Sequence, residues 1–211
     1  MKITKFFAIC GICLPLLFLC SCASTGDKFT PPSTDQLELG KLTSADALMR
    51  FGKPRITGTR VTADGSFEIY KYVYAAADIS AISQRVLLLE FKEGKLNAYY
   101  YWSSFEADKT KVDLKNMDKL KAGVGKLTKD DVVALAGKPN AKGYCPSTLS
   151  DFKDRCAKNT EIWGWLMTDN YSLWALQPQK LKTVEMYVTF DSDGKIAGID
   201  LANINDQNGN N

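Results

Sequence analysis

One block occurs twice in this chain, and it constrains the fold more than anything else in the sequence. Residues 40–54 read GKLTSADALMRFGKP, and residues 125–139 read GKLTKDDVVALAGKP. Gly40, Lys41, Leu42 and Thr43 recur as Gly125, Lys126, Leu127 and Thr128, and Gly52, Lys53 and Pro54 recur as Gly137, Lys138 and Pro139, at a constant offset of 85 residues. A segment repeated with its punctuation in place points to a repeated supersecondary unit. Each copy reads as a short capped helix. Thr43 with Asp46, and Thr128 with Asp131, have capping-box spacing: the hydroxyl accepts an orphan backbone N–H, and the acid reaches back to the cap. Ala47, Leu48 and Phe51, then Val132, Val133 and Leu135, supply an apolar stripe. Gly52 and Gly137 stand at the helix exit, and Pro54 and Pro139 forbid continuation. A phosphate-binding loop does not fit. It needs a glycine five residues before the Gly-Lys pair and a hydroxyl after it, where Leu120 and Leu127 stand.

Strand signals follow each copy. Residues 68–74 (EIYKYVY) and 161–167 (EIWGWLM) alternate with period two, so Tyr70, Tyr72, Trp163 and Trp165 are read onto one face of their strands. Arg85–Phe91 turns through Lys92-Glu93-Gly94 into Lys95–Trp102, and Val184–Phe190 turns through Asp191-Ser192-Asp193-Gly194 into Lys195–Leu201. Gly-closed turns between alternating runs predict hairpins. Asp191-x-Asp193-Gly194 lacks the later acids of a calcium loop and is read as a turn. Val184, Met186, Val188 and Phe190, with Leu87, Leu89 and Phe91, are expected to face the helices. Further strands are expected over Arg55–Thr62 and Tyr171–Leu176. By parity Tyr100, Trp102 and Tyr187 are placed beside the other aromatics. All seven are candidate protein-binding residues, because rigid amphipathic rings anchor interfaces.

The first 21 residues have the form of a lipoprotein signal peptide: Lys2 and Lys5, an apolar run from Phe6 to Leu19, then Leu19-Cys20-Ser21-Cys22. This resembles the bacterial lipobox and implies Cys22 as the lipidated first residue of the mature chain. Ala23 after it implies the outer membrane, with the body facing the periplasm or the exterior. Segment 22–36 reads as a lipidated tether, 37–105 and 122–202 as the two repeats, 106–121 as a charged linker or helix, and 203–211 as a disordered tail. Of 27 basic residues, 25 survive removal of Lys2 and Lys5, against 24 acidic ones. That balance is no footprint for nucleic acid. With Cys10, Cys13 and Cys20 in the signal peptide and Cys22 lipidated, Cys145 and Cys156 remain. They bracket an insertion, YCPSTLSDFKDRC, that the first copy lacks. A disulfide across it suits an oxidising compartment. The chain has no His, which leaves too few ligands for zinc. Ser150-x-x-Lys153 has the spacing of penicillin-interacting enzymes but lacks their companion motifs. The expectation is therefore no catalytic residue, no metal, no cofactor and no small-molecule substrate.

The order of elements resembles the SmpA/OmlA (BamE-like) lipoprotein family. The second copy matches its motifs through Gly125, Leu127, Thr128, Asp131, Val132, Gly137, Pro139, Trp163–Trp165 and Phe190–Lys195. The first matches through Gly40, Thr43, Asp46, Gly52, Pro54, Tyr70–Tyr72 and Phe91–Lys95. A tandem of such units is also similar to the β-lactamase inhibitor protein (BLIP-like) fold. The resemblance implies an α+β fold of two tandem repeats, each a short helix pair packed on a three- to four-stranded antiparallel sheet. It implies a non-catalytic outer-membrane lipoprotein that binds an envelope protein. The alternative it implies is a BLIP-like inhibitor of a secreted or periplasmic hydrolase.

Overall fold

The computed structural model describes residues 24–77, 82–108, 114–171 and 180–205. Cys22 lies outside these residues, and so does most of the strand expected over Tyr171–Leu176. The strands are β1 (Ser24–Thr25), β2 (Ile56–Thr62), β3 (Gly65–Ala77), β4 (Ile82–Lys92), β5 (Lys95–Ser103), β6 (Ala141–Tyr144), β7 (Glu161–Tyr171), β8 (Lys180–Phe190) and β9 (Ile196–Asn205). The helices are α1 (Ser44–Phe51), α2 (Met117–Ala122), α3 (Lys129–Ala136) and α4 (Ser150–Lys153).

The architecture corrects the sequence reading. The two helix-pair-plus-sheet units are replaced by one continuous nine-stranded sheet, in the order β1-β3-β4-β5-β6-β7-β8-β9, with β2 also paired to β3. Every strand pairing is antiparallel. The join is β6, which pairs Ala98, Tyr99 and Tyr100 on one side and Glu161 to Gly164 on the other. No alternating apolar run announces a strand at 141–144. Its cohesion comes from elsewhere: a Cβ on Gly143 would stand 2.8 Å from the Ala98 Cβ and 2.9 Å from Phe152 Cε2. The mix of helix and sheet stays α+β in kind, but the layout is sheet-dominated.

Registers define two faces. Tyr70 and Tyr72 lie opposite Leu89 and Leu87, which lie opposite Tyr99 and Tyr101. Tyr99 meets Lys142, Lys142 meets Trp163, and Trp163 and Trp165 meet Val188 and Met186. This is the helix face. One core forms there around Ala47 of α1 with Tyr72, Leu87, Leu89 and Phe91. Another forms around Leu120, Val132 and Ala136 with Trp165, Met186, Val188 and Phe190. The second face holds a third core at its centre, where Leu149 and Phe152 cover Ala98, Ala141, Ile162, Leu166 and Tyr187.

The doubled block has a structural role in both halves. Thr43 and Thr128 make full capping boxes with Asp46 and Asp131. Gly40 N–H donates to Leu96 O at 2.8 Å, and Leu96 N–H donates to Leu42 O at 2.8 Å. Gly125 N–H donates to Ile196 O at 2.8 Å, and Ile196 N–H donates to Leu127 O at 3.0 Å. The Gly-Lys-Leu-Thr run is thus a clamp onto the return arm of each hairpin. Gly40 and Gly125 have φ of 73° and 76°, a region that favours glycine. Leu48, expected to be buried, is 42 % exposed.

Three segments outside the expected repeats take part in the fold. The tether over 22–36 is not free of the fold: Ser24 and Thr25 pair with Ala76 and Ala75, and Phe29 is buried with its ring 6.2 Å from that of Tyr72. The segment read as a charged linker or helix over 106–121 holds most of α2, which gives Met117 and Leu120 to the second helix-face core. The tail begins later than 203, since Asn203, Ile204 and Asn205 pair with Val184, Thr183 and Lys182.

Candidate functional site

The seven aromatics singled out from the sequence do not form one surface. Tyr70, Tyr72, Trp163 and Trp165 share a face, but it is the helix face, and none is more than 6 % exposed. Tyr70 packs on Phe91 at 5.2 Å between centroids, and Tyr72 packs on Phe51 at 5.8 Å. Burial pushes the Tyr72 phenol up to about 12. Trp165 Nε1 donates to Gly137 O at 3.0 Å, which ties β7 to the exit of α3. Trp163 lies under the Lys142 amine, 4.1 Å from the ring centroid. Burial lowers the Lys142 pKa, Glu161 opposes that shift, and Lys129 and Lys138 add to it. These four rings are core, and the interface reading of them is withdrawn.

Tyr100, Trp102 and Tyr187 lie on the second face instead, opposite Leu88, Val86 and Gly164. The physical reason for Tyr100 and Trp102 is a bulge. Phe91 pairs with Leu96, but Glu90 pairs with Ala98, so Asn97 is extra and parity flips along β5. Tyr187 is 1 % exposed, edge-on to Phe152 and beneath the Arg155 guanidinium at 4.3 Å. It too is core. Only Tyr100 and Trp102 are half-buried rather than buried.

They belong to a larger patch. Ile69 and Val73 of β3, Val86 and Leu88 of β4, and Tyr100 and Trp102 of β5 share the second face of the first half, and all six are half-buried. Leu88 and Tyr100 touch the rim of the central core, while the other four belong to none of the three cores. The patch ends at β2, whose seven residues are all exposed, with Ile56 at 53 % and Val61 at 77 %. Among the described residues β2 pairs only with β3, which leaves its outer row of backbone groups facing another strand's place. The signal for this patch in the sequence is apolar residues on both faces of β3. Ile69 and Val73 flank Lys71 on the face opposite Tyr70 and Tyr72, and two apolar residues there are more than a strand covered on one side needs.

The other margin is the Cys145–Cys156 loop. The disulfide is formed, with Cα atoms 5.3 Å apart. The loop is pinned to the sheet through the buried Glu90, which accepts from Thr148 N–H at 2.7 Å and from Asn97 Nδ2 at 2.8 Å. Asn97 is the bulge residue, so the same irregularity that turns Tyr100 and Trp102 outward also seats the loop. Arg60 of β2 donates to Thr148 O. Between the β2–β3 turn and the loop lies a cleft of about 730 Å³, lined by Arg60, Asp64, Phe67, Pro146, Thr148 and Lys153 among others. Ser150 and Lys153 both line it and are both exposed. Among the described residues no group of three His, Cys, Asp or Glu could hold a metal ion. Asp191 Oδ1 accepts from Asp193 N–H and Lys195 N–H at 3.0 and 2.9 Å, as a turn requires.

In chemical terms the arrangement offers an apolar sheet face, an open strand edge and a rigid polar margin. Those are the components of a polypeptide-binding surface. Compared with protein-family models, curated proteins and solved structures, the chain matches none.

Proposed function

We propose that this chain is a lipid-anchored, non-catalytic protein-binding module of the bacterial outer membrane, and that it holds an envelope protein on the open half of its second sheet face. The observation that carries the binding site is the half-buried patch of Ile69, Val73, Val86, Leu88, Tyr100 and Trp102 beside the exposed strand β2. Apolar and aromatic groups presented on a rigid sheet lose little entropy when a partner covers them. An open edge adds main-chain hydrogen bonds in register with the side-chain contacts. The anchor rests on the run to Leu19 and on Leu19-Cys20-Ser21-Cys22, and Ala23 supports the outer rather than the inner membrane. The disulfide suits an extracytoplasmic body. The SmpA/OmlA resemblance, taken on its motifs alone, supports the same class of role.

Photo-crosslinking in living cells tests the binding surface. A crosslinkable residue in place of Val86 or Trp102 is expected to capture one and the same envelope protein. The same residue in place of Met49, which is 78 % exposed on α1, is expected to capture none of it. Capture from Met49 as strong as from the patch sinks the assignment, as does an uncrosslinked protein at both patch positions.

A further inference from the structure

We infer that the body sits directly on the phospholipid surface, with the Ala75–Ala77 and Ile82–Gln84 end of the β3–β4 pair as its membrane-facing edge. This rests on the reading of Cys22 as the lipidated residue, and it deepens that reading from an anchor to an orientation. The argument is one of chain length. Only Ala23 separates Cys22 from Ser24, and Ser24 is already paired with Ala76. Two Cα steps span at most about 8 Å, so a lipid on Cys22 holds this corner of the sheet within one residue's reach of the headgroups.

The corner is fixed to the rest of the molecule and cannot pay out as a spacer. Gly26 has φ of +81°, and a Cβ there would stand 2.1 Å from Val73 O. That contact admits glycine and locks the segment along β3. Three residues on, Phe29 is 7 % exposed within the first helix-face core. Ile82 on this edge is 60 % exposed. β4 has eleven residues, so the two ends stand roughly 35 Å apart. The strands then rise steeply from the membrane, and the open edge β2 lies along β3 on the half remote from the lipid, since Thr62 pairs with Gly65 and Ile56 with Lys71.

The test uses the full lipoprotein in phosphatidylethanolamine–phosphatidylglycerol vesicles that contain headgroup-quencher lipid. A fluorophore is placed at Ile82→Cys or at Glu93→Cys, with the Cys145–Cys156 disulfide intact. Flotation comes first: protein that does not float with the vesicles sinks the lipid-anchor reading and this inference with it. For protein that floats, quenching at position 82 is expected to exceed that at position 93 several-fold. Equal quenching at the two positions overturns the inference while leaving the anchor standing. A Gly-Ser insert of about twelve residues between Ala23 and Ser24 lengthens the tether without touching the fold. It is expected to bring quenching at position 82 down towards that at position 93, and an unchanged ratio also overturns the inference.

Discussion

The most consequential single residues are those that spend their chemistry on holding the sheet. Asp46 and Asp131 show how. Each carboxylate accepts from its cap threonine, with Thr43 N–H at 3.2 Å and Thr128 N–H at 2.9 Å. These bonds favour the ionised form and lower both pKa values from 3.8; for Asp46 the Thr43 side chain contributes most, and for Asp131 the Thr128 backbone does. A carboxyl whose pKa is lower in the folded than in the unfolded state contributes stability above its unfolded value. It loses that contribution as pH falls through the folded one. The double substitution Asp46→Asn/Asp131→Asn is therefore expected to lower the melting temperature at neutral pH. The difference from the parent should shrink as pH is taken below about 4, which a series of thermal melts measures. A difference that persists undiminished at low pH would mean the caps act through shape and not through charge. The cap threonines, the acids and the exit glycines were all readable from spacing alone, because capping is a local matter of side chain and backbone within one turn. The clamp from Leu42 and Leu127 to Leu96 and Ile196 was not, because its partner lies about fifty to seventy residues downstream.

Among the elements, β6 decides the architecture, and nothing in its four residues announced it. The strands with clean alternation, β4 and β8, were legible because burial on one face imposes period two. Ala141–Tyr144 has no such pattern. It is a strand because Gly143 lets Ala98 and Phe152 close over it. The same limit explains the misplaced aromatics. Parity along one strand is local, but the face it maps to depends on register between strands, and one extra residue at Asn97 reverses it. Gly143→Ala is accordingly expected to destabilise the protein by about 1–3 kcal/mol, since the added methyl overfills a packed site. Because the obstructing atoms are the Ala98 methyl and the Phe152 ring, and the ring can be replaced by a smaller side chain, Phe152→Leu in the same molecule should restore part of the loss. Chemical denaturation of the single and double variants measures both. If Gly143→Ala unfolds at the parent midpoint, β6 is not the packed joint described above.

At the scale of the whole molecule, the doubled block and the single sheet pull in different directions. Two copies of a clamp, a cap and a hairpin describe a chain that could fold as two units joined by a linker. The third core opposes that division. It takes Ala98 from β5 and Ile162, Leu166 and Tyr187 from β7 and β8, and it covers them with one loop closed by Cys145 and Cys156. Glu90 of the first half holds that loop from below, and Arg155 of the loop pairs with Asp200 of β9 at 2.7 Å. Opening either half therefore uncovers the loop, and uncovering the loop removes the packing partner of the other half. The halves are expected to open together. Native-state hydrogen exchange reads this directly, because the slowest amides of β4 and β8 report the largest opening each half can resist. In the disulfide-intact protein these free energies should agree within about 1 kcal/mol, as for one cooperative unit. A gap well beyond that would return the two-unit description. In the Cys145→Ser/Cys156→Ser variant the loop loses a constraint worth about 3 kcal/mol, and both values should fall by a similar amount. A fall confined to the amides of β8 would instead show that the loop belongs to the second half alone, and that the first half, with its open face and edge, stands on its own core.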